Sequence, residues 1–255
     1  MVELRRLGSS GLKVSAIGLG GNTFGGTVDG DEAVAVIRRA LDLGITFVDT
    51  ADVYNVGRSE ELVGKAIAGR RGEVIVATKV GMAMSDSPYA RGLSRRWIMR
   101  SIEDSLRRLG TDYVDLYQAH VPDDDTPLEE TLRAMDDLVR QGKVCYVGCS
   151  NYLAWQLARA LGIGERRGLA SWVSVQPRWN LLDGLQDPHL LPACRAFGVG
   201  IIPYTPLASG ILTGKYRRGV EPPAGTRMGD MARIRDRLND AKLAAVDRLR
   251  PWAEA

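Results

Sequence analysis

The stretch FVDTADVYNVGRSE begins as an apolar run and then places two carboxylates and a phenol close together, at Asp49, Asp52 and Tyr54. Later apolar runs end in an ammonium group, Lys79, and in an imidazole, His120. An ordinary tyrosine has a pKa of about 10 and is a weak proton donor at neutral pH. A cation within a few ångströms stabilises the phenolate and would lower that pKa, so Tyr54 beside Lys79 could act as a general acid.

The other members of this set have complementary tasks. A buried carboxylate such as Asp49 would hold Lys79 in place and keep it charged. His120 can donate a hydrogen bond to a carbonyl oxygen and stabilise the negative charge that grows there. Within this set only Lys79 is a competent nucleophile. The sequence shows neither the Ser/His/Asp spacing of a hydrolase nor a cluster of metal ligands. The set therefore indicates a carbonyl group that receives a hydride and then a proton, without a metal ion.

The chain that positions these residues alternates strand-like runs with segments of helical period. The strand-like runs are residues 16–20, 45–49, 74–79, 113–120, 144–150, 172–177 and 199–204. The predicted helices are residues 31–43, residues 95–109 and a segment from Pro127 whose capping box runs from Thr126 to Glu129. This alternation predicts parallel strands joined by right-handed crossovers, in either a doubly wound sheet or a barrel.

Three observations favour the barrel over a doubly wound nucleotide-binding sheet. The glycine-rich GLGGNTFGG is followed by TVDGD before any helix begins, so the dinucleotide fingerprint of a doubly wound sheet fails. GILTGKY likewise lacks the spacing and the final hydroxyl residue of a P-loop. Polar residues close most of the strand-like runs, and in a parallel barrel they would emerge together at the carboxyl ends, where barrel enzymes build their sites. These residues are Asp49, Lys79, His120, Ser150, Asn151, Gln176 and Tyr204.

The opening LRRLGSSGLKVS predicts two short strands around a glycine-containing turn. Such a hairpin would come before the first parallel strand. It could cover one end of the barrel.

Composition narrows the class of protein. The 255 residues are 45% hydrophobic and carry a net charge of +3 without long blocks of one sign, which favours a globular protein and argues against nucleic acid as a partner. Neither a signal-peptide pattern nor an apolar run long enough for a membrane span is seen, so we expect a cytoplasmic protein with no membrane partner. The three cysteines disfavour a disulfide framework. Cys145 and Cys149 lie four apart in one predicted strand and are expected to be buried on the same face.

The sequence resembles the aldo-keto reductases. The matching stretches are GLGG, FVDTADVYNVGRSE, VIVATKVG, DYVDLYQAHVPD, GKVCYVGCSNY, SVQPRWN and IPYTPLASGILTGKY, and they occur in the order of that family over almost the whole chain. The resemblance implies an α/β fold, a (β/α)8 TIM barrel with an N-terminal β-hairpin, as a single domain over residues 1–255. It also implies that a nicotinamide dinucleotide reduces a small aldehyde or ketone to an alcohol.

The resemblance further implies roles for individual residues. Tyr54 would donate the proton, Lys79 and Asp49 would set its acidity, and His120 would orient the substrate. Cofactor binding is implied for Gly21, Asn22, Asp49, Ser150, Asn151, Gln176, Tyr204, Thr205, Pro206, Leu207, Ser209, Gly210 and Lys215. The family continues through an eighth strand and helix that carry contacts to the adenine end of the cofactor, and we expect both to be missing here. Because those contacts usually select between NADPH and NADH, the sequence leaves the choice open. The habit of the family alone makes NADPH the expected cofactor, with NADH as the alternative.

Two other functions stay open at this stage. One is a regulatory or sensor module that holds a nicotinamide dinucleotide, as do the ion-channel β subunits that resemble this family. The other uses Lys79 as the Schiff-base nucleophile of an aldolase, although Asp49 beside it would keep the amine protonated and unreactive. The sequence leaves the physiological substrate and the oligomeric state open.

Overall fold

The computed structural model describes residues 2–254, without the side chains of residues 232, 233 and 254. The chain divides into two compact units. The first consists of the residues up to Gln176 together with His189–Ile202, and the second consists of Pro177–Pro188 together with the residues from Pro203 onward. The single domain expected for residues 1–255 stays a prediction.

Strands and helices alternate through most of the described residues. The strands are β1 (Leu4–Arg6), β2 (Lys13–Ser15), β3 (Gly18–Gly20), β4 (Phe47–Asp49), β5 (Ile75–Val80), β6 (Val114–Ala119), β7 (Val144–Ser150), β8 (Trp172–Gln176), β9 (Trp179–Asn180), β10 (Gly184–Leu185) and β11 (Gly200–Ile201). The helices are α1 (Gly30–Asp42), α2 (Arg58–Ile67), α3 (Arg95–Leu109), α4 (Leu128–Arg140), α5 (Ala154–Arg167), α6 (Leu190–Phe197), α7 (Arg227–Asp230) and α8 (Asp240–Glu254). None of the helices in residues 2–254 is long and apolar enough to cross a membrane.

A parallel sheet of seven strands forms the centre of the first unit. Its strands lie in the order β3, β4, β5, β6, β7, β8 and β11, which is also their order along the chain. Each of the seven predicted strand-like runs supplies one of them. In β6 every residue is buried, because one face of the strand points into the sheet interior and the other is covered by helices.

The sheet curls strongly. Three strands separate β4 from β8. On a flat sheet, with a spacing of about 4.8 Å between neighbours, these two strands would lie roughly 19 Å apart. Nevertheless Gln176 Nε2 at the end of β8 donates a hydrogen bond of 3.0 Å to Asp49 Oδ1 at the end of β4. This curled parallel sheet with its surrounding helices confirms the predicted barrel class, with seven parallel strands in residues 2–254.

The predicted N-terminal hairpin is confirmed, and it covers the amino-terminal ends of the sheet strands. β1 and β2 pair antiparallel, from Leu4 opposite Ser15 to Arg6 opposite Lys13. Gly8 in the turn has a φ of +60° and lies so close to the sheet that a Cβ there would be 2.5 Å from the Gly198 carbonyl oxygen. The hairpin therefore leaves the opposite, carboxyl ends of the strands available for a site.

The capping box predicted for the fourth helix is wrong. α4 begins at Leu128, its N-cap residue is Pro127, and no side chain caps it. The Thr126 hydroxyl instead donates a hydrogen bond of 2.7 Å to Asp123 Oδ2. The side chain of Asp123 also accepts the backbone N–H of Leu93 at 2.6 Å, so this carboxylate orders the loop before the helix.

The prediction that Cys145 and Cys149 share a buried face is also wrong. Cys145 is exposed and Cys149 is buried. The pairing of β7 with β8 contains a register shift between Val147 and Gly148, which lies between the two cysteines. A bulge of this kind breaks the two-residue alternation of faces along a strand.

The second unit has its own apolar cluster. β9 and β10 pair antiparallel in its first segment. The cluster in its second segment consists of Ala208, Ile211, Tyr216, Met228, Ile234, Leu243 and Val246. Packing of α7 and α8 on this cluster fixes the segment that follows β11.

Two helical glycines provide a test of how closely the helices pack. A Cβ on Gly64 in α2 would lie 2.6 Å from the Leu109 carbonyl oxygen at the end of α3. The backbone of α2 or of α3 would have to move to make room for it. A Cβ on Gly162 in α5 would meet only the end of the Arg166 side chain, at 3.5 Å. We expect Gly64→Ala to lower the free energy of unfolding by about 1–3 kcal/mol through overpacking. Gly162→Ala should raise it by up to about 1 kcal/mol, because alanine favours a helix interior.

Urea unfolding followed by circular dichroism would measure both changes. Gly162→Ala is the matched control, since it makes the same substitution in the interior of another helix. Equal effects of the two substitutions would show that α2 and α3 do not approach each other this closely.

Candidate active site

Lys79 lies near the end of β5 with its side chain fully buried. Its Nζ atom donates to Asp49 Oδ2 at 2.7 Å and to the Thr50 carbonyl oxygen at 2.8 Å. It also lies 3.3 Å from the phenolic oxygen of Tyr54. The ammonium group is therefore surrounded by three oxygen atoms, one of which is the predicted proton donor.

The surroundings of Lys79 keep it charged. Burial by itself lowers the pKa of a lysine, but the negative charge of Asp49, the Tyr54 oxygen and the hydrogen bonds to both outweigh it, so the pKa of Lys79 is raised. A Schiff-base nucleophile needs a neutral amine. The arrangement thus argues against the aldolase hypothesis.

Two amides hold Asp49 in position. Gln176 Nε2 donates to Asp49 Oδ1 at 3.0 Å, and Gln118 Nε2 donates to the same atom at 3.3 Å. Oδ2 of Asp49 is left to face Lys79. The sequence reasoning missed Gln118, although a polar residue two positions before His120 in an apolar strand was a signal, because alternate residues of a strand share one face.

A tight loop between β4 and α2 presents Tyr54. The three residues after it have positive φ values, 48° at Asn55, 53° at Val56 and 85° at Gly57. Left-handed conformations are costly for residues other than glycine and persist only where the surroundings hold them. Asn55 supplies such a restraint, because its Nδ2 donates a hydrogen bond of 2.7 Å to the Phe24 carbonyl oxygen. The loop therefore fixes the direction in which the phenol points.

His120 follows β6 directly and completes the predicted set. Its ring packs edge-on against the Tyr54 ring, with 5.7 Å between the ring centroids. Burial, with a further contribution from the nearby Lys79 charge, lowers the pKa of His120 to about 3. The imidazole is therefore neutral at physiological pH and can donate one hydrogen bond from its ring.

Three residues of the predicted cofactor set, Ser150, Asn151 and Gln176, lie next to these side chains and bond to one another. Ser150 Oγ donates to the Gln176 carbonyl oxygen at 2.9 Å. Asn151 Nδ2 donates to Ser150 Oγ at 3.0 Å and to the His120 carbonyl oxygen at 2.9 Å. Gly21 also belongs to this region, because its N–H donates to the Asp49 carbonyl oxygen at 2.7 Å. The cofactor roles of these residues stay predictions.

Among the described residues, Asn22 makes a weak contact with Asn55. Its carbonyl oxygen lies 3.5 Å from Asn55 Nδ2, at the limit for a hydrogen bond. Its place in cofactor binding rests on the family resemblance alone.

The remaining predicted cofactor residues belong to the second unit. The backbone of their segment, together with Ala208, which was not predicted, suits an anion. Thr205, Ala208 and Ser209 have positive φ values between 48° and 59°, and Gly210 has a φ of 92°. Successive backbone N–H groups in such turns form concave sites that favour negative charge. Lys215 adds a cation, since its Nζ would lie 3.5 Å from a Cβ placed on Gly210. This donor set fits the pyrophosphate of a dinucleotide.

Three further residues of the predicted cofactor set frame this segment. The backbone N–H of Tyr204 donates to the Pro177 carbonyl oxygen at 3.0 Å, and burial raises the pKa of its phenol. Pro206 is exposed, and Leu207 is 55% exposed. An exposed leucine and proline here leave apolar surface that a nucleotide could cover.

Asp52 faces away from the four predicted catalytic residues. Its Oδ2 accepts a hydrogen bond of 3.0 Å from Ser101 Oγ on α3, and its side chain is fully buried. Glu60 is buried nearby, where Thr78 Oγ1 and Arg108 Nε donate to it at 2.5 and 2.6 Å. Burial and the charge of Glu60 raise the pKa of Asp52 to about 7.

The chain belongs to the aldo/keto reductase family. The model of the "Aldo/keto reductase family" matches residues 16–255. The resemblance seen in the motifs is thereby confirmed, and so is the predicted class of enzyme, an oxidoreductase that uses NAD(P)H.

Several individual proteins are similar in sequence to this chain. A probable voltage-gated potassium channel subunit beta of Oryza sativa subsp. japonica is 38% identical over 260 aligned residues, covering 99% of this chain and 79% of that protein. The uncharacterized oxidoreductase YrpG of Bacillus subtilis (strain 168) is 40% identical over 242 residues, covering 91% of this chain and 73% of YrpG. The L-glyceraldehyde 3-phosphate reductase of Escherichia coli (strain K12) is 38% identical over 239 residues, covering 89% and 67% of the two chains.

The charge state of His120 can be tested directly. Because its pKa in the folded protein is about 3, we expect its ring carbon and nitrogen chemical shifts to stay constant from about pH 5 to about pH 8. The chain has two histidines, so a His189→Gln variant assigns the signals. In urea the same ring should titrate near the ordinary value of about 6.5. A midpoint inside the tested range in the folded protein would show that the imidazole is not shielded as described.

The raised pKa of Asp52 predicts a dependence of stability on pH. Its pKa is about 7 in the folded protein against an ordinary value of 3.8. Between these pH values the folded state binds one more proton than the unfolded state, so the free energy of unfolding falls as the pH rises through this window. Asp52→Asn removes the ionisation. As the pH rises from about 5 to about 8, we expect the free energy of unfolding of wild type to fall by about 2–3 kcal/mol relative to that of Asp52→Asn.

Urea unfolding at the two pH values would measure this difference. Asp86→Asn, in an exposed loop, is the matched control and should leave the pH dependence of wild type unchanged. A constant difference between Asp52→Asn and wild type across the range would contradict the raised pKa.

Proposed function

We propose that this aldo/keto reductase converts an aldehyde or ketone to an alcohol with Tyr54 as the proton donor. The observation that carries the proposal is the 3.3 Å between Lys79 Nζ and the phenolic oxygen of Tyr54. A cation at this distance stabilises the phenolate that remains after the proton has left. Because Lys79 is buried, its charge is less screened by water than it would be on the surface.

Each neighbouring group has a part in the proposed reaction. When bound, the reduced nicotinamide supplies the hydride. Tyr54 gives its proton to the carbonyl oxygen as negative charge develops there, and the neutral His120 donates a hydrogen bond to the same oxygen. Asp49 keeps Lys79 charged and fixed, and it is itself held by the amides of Gln118 and Gln176. The phenolate regains its proton from solvent before the next turnover.

NADPH is the proposed reductant, with NADH as the alternative. In the second unit, the left-handed turn at Ser209 and Gly210 and the neighbouring Lys215 support pyrophosphate binding. In the first unit, Ser150, Asn151 and Gln176 are proposed to bind the carboxamide.

The cytoplasm is the proposed location. The three cysteines are all free thiols, two of them buried, which suits a reducing compartment. The proposed substrate is a small carbonyl compound. Because one relative is named for L-glyceraldehyde 3-phosphate, that aldehyde belongs in the substrate panel beside an aromatic aldehyde.

A regulatory module that holds a nicotinamide dinucleotide is the second candidate. It is favoured by the similarity to a protein named as a probable potassium channel subunit beta. The two functions differ in turnover. Loss of the near-ultraviolet absorbance of reduced nicotinamide on addition of an aldehyde supports the reductase, whereas tight cofactor binding without consumption supports the regulatory module.

Tyr54→Phe tests the proton donor. We expect it to lower kcat for carbonyl reduction by about 10²–10⁴-fold, because the general acid is lost, while the Kd of the cofactor stays near that of wild type. Tyr89→Phe, which removes the same hydroxyl from an exposed side chain, is the control and should be fully active. Lys79→Met should either abolish the activity or move the pH profile upward, since the proton donor then loses its stabilising cation. Turnover near the wild-type rate in Tyr54→Phe would remove this residue from the proposed role.

A further inference from the structure

The first unit contains a cavity of about 280 Å³ outside the candidate active site. It lies between α3 and the segment that follows β5, and none of the four predicted catalytic residues lines it. One ordered water molecule needs only about 10–15 Å³ of such space. The cavity is therefore large enough for a small organic molecule.

Two buried polar atoms in the lining have no hydrogen-bond partner among the described residues. They are Oδ1 of Asp52, on a fully buried side chain, and Nε1 of Trp97, whose side chain is 8% exposed. Buried polar groups are almost always paired, and leaving one unpaired is costly. In the ionised carboxylate, which predominates above about pH 7, Oδ1 of Asp52 is an acceptor, and Nε1 of Trp97 is a donor. A hydroxyl group can satisfy both, because it donates one hydrogen bond and accepts another.

Two arginines in the outer part of the cavity lining have guanidinium groups with few or no ion-pair partners among the described residues. Arg96 is exposed, stacks on the Tyr89 ring at 4.9 Å and forms no ion pair with the described carboxylates. Arg100 is paired only with Asp104, at 3.8 Å, among those residues. By contrast, Arg108 deeper in the lining is already bonded to the buried Glu60 at 2.6 Å. The two outer guanidinium groups are thus available to an anion, which they bind with several directed hydrogen bonds.

We propose that this cavity binds a small organic anion that carries hydroxyl groups. A hydroxyl of the ligand lies between Asp52 and Trp97, and its anionic group lies at Arg96 and Arg100. Water alone could satisfy the two inner atoms. Water does not account for the two guanidinium groups at the entrance of the cavity, whereas a bound anion does.

Glycerol 3-phosphate is a suitable probe, because it combines both features, and glycerol and inorganic phosphate each supply one of them. The indole N–H signal of Trp97 reports on the cavity, and Trp97→Phe identifies it among the five tryptophans of the chain. The titration uses the full chain, with and without saturating NADPH. A shift that persists with NADPH present places the probe outside the cofactor site. It also makes the result independent of whether the proposed reductase mechanism holds.

We expect glycerol 3-phosphate to shift the Trp97 signal saturably and to bind at least tenfold more tightly than either fragment. The Arg96→Gln/Arg100→Gln double variant should weaken binding at least tenfold, and Asp52→Asn should weaken binding of glycerol 3-phosphate but not of inorganic phosphate. Arg91→Gln removes an exposed arginine that does not line the cavity and should bind as wild type does.

Three outcomes would overturn the proposal. The first is no saturable shift of the Trp97 signal, which means that the cavity holds water only. The second is equal binding by the double variant and by Arg91→Gln. The third is equal responses to glycerol, inorganic phosphate and glycerol 3-phosphate, which means that binding is nonspecific.

Discussion

The structure of the first unit depends on how it accommodates one buried positive charge. Lys79 is fully removed from solvent, and an isolated charge in such a place costs several kcal/mol unless partners replace its lost water. Asp49, the Thr50 carbonyl and the Tyr54 hydroxyl are those partners. Their positions follow from the sheet, because the carboxyl ends of β4 and β5 lie side by side. The requirement to neutralise a buried lysine and the requirement to activate a phenol are met by the same contacts.

This constraint extends across the curled sheet. Gln176 on β8 and Gln118 on β6 both reach Asp49 on β4, so alternate strands send polar side chains to one carboxylate. Such convergence is possible only inside a closed or nearly closed parallel sheet, where the side chains of alternate strands share a layer. Loss of any one member would leave a neighbour buried and unsatisfied. We therefore expect stability and catalysis to be hard to separate at these positions.

The sequence predicted those residues of the site whose polar side chains end an apolar run. Asp49, Lys79 and His120 each end an apolar run, and parallel strands bring such ends to one face. Gln118 was missed because it lies within the run and not at its end. Its position two residues before His120 places it on the same face, but its contact with Asp49 comes from another strand and is seen only in the structure. The face of Cys145 was wrongly predicted for a related reason, since the shift in the pairing of β7 with β8 depends on the neighbouring strand. Local patterns of apolar and polar residues thus predict where the strands lie. They predict the contacts between strands only in part.

The two aspartates of FVDTADVYNVGRSE show how differently two identical groups behave in different surroundings. Asp49 points into the sheet, where a buried ammonium and two amides neutralise and hold it. Asp52, three residues later, points toward Ser101 on α3. Burial and the negative charge of Glu60 on α2 raise its pKa to about 7. The backbone N–H of Asp52 still donates to the Lys79 carbonyl oxygen at 3.3 Å. The short segment that carries the proposed proton donor is therefore anchored on one side by a charged pair and on the other by a carboxyl group that titrates near neutral pH.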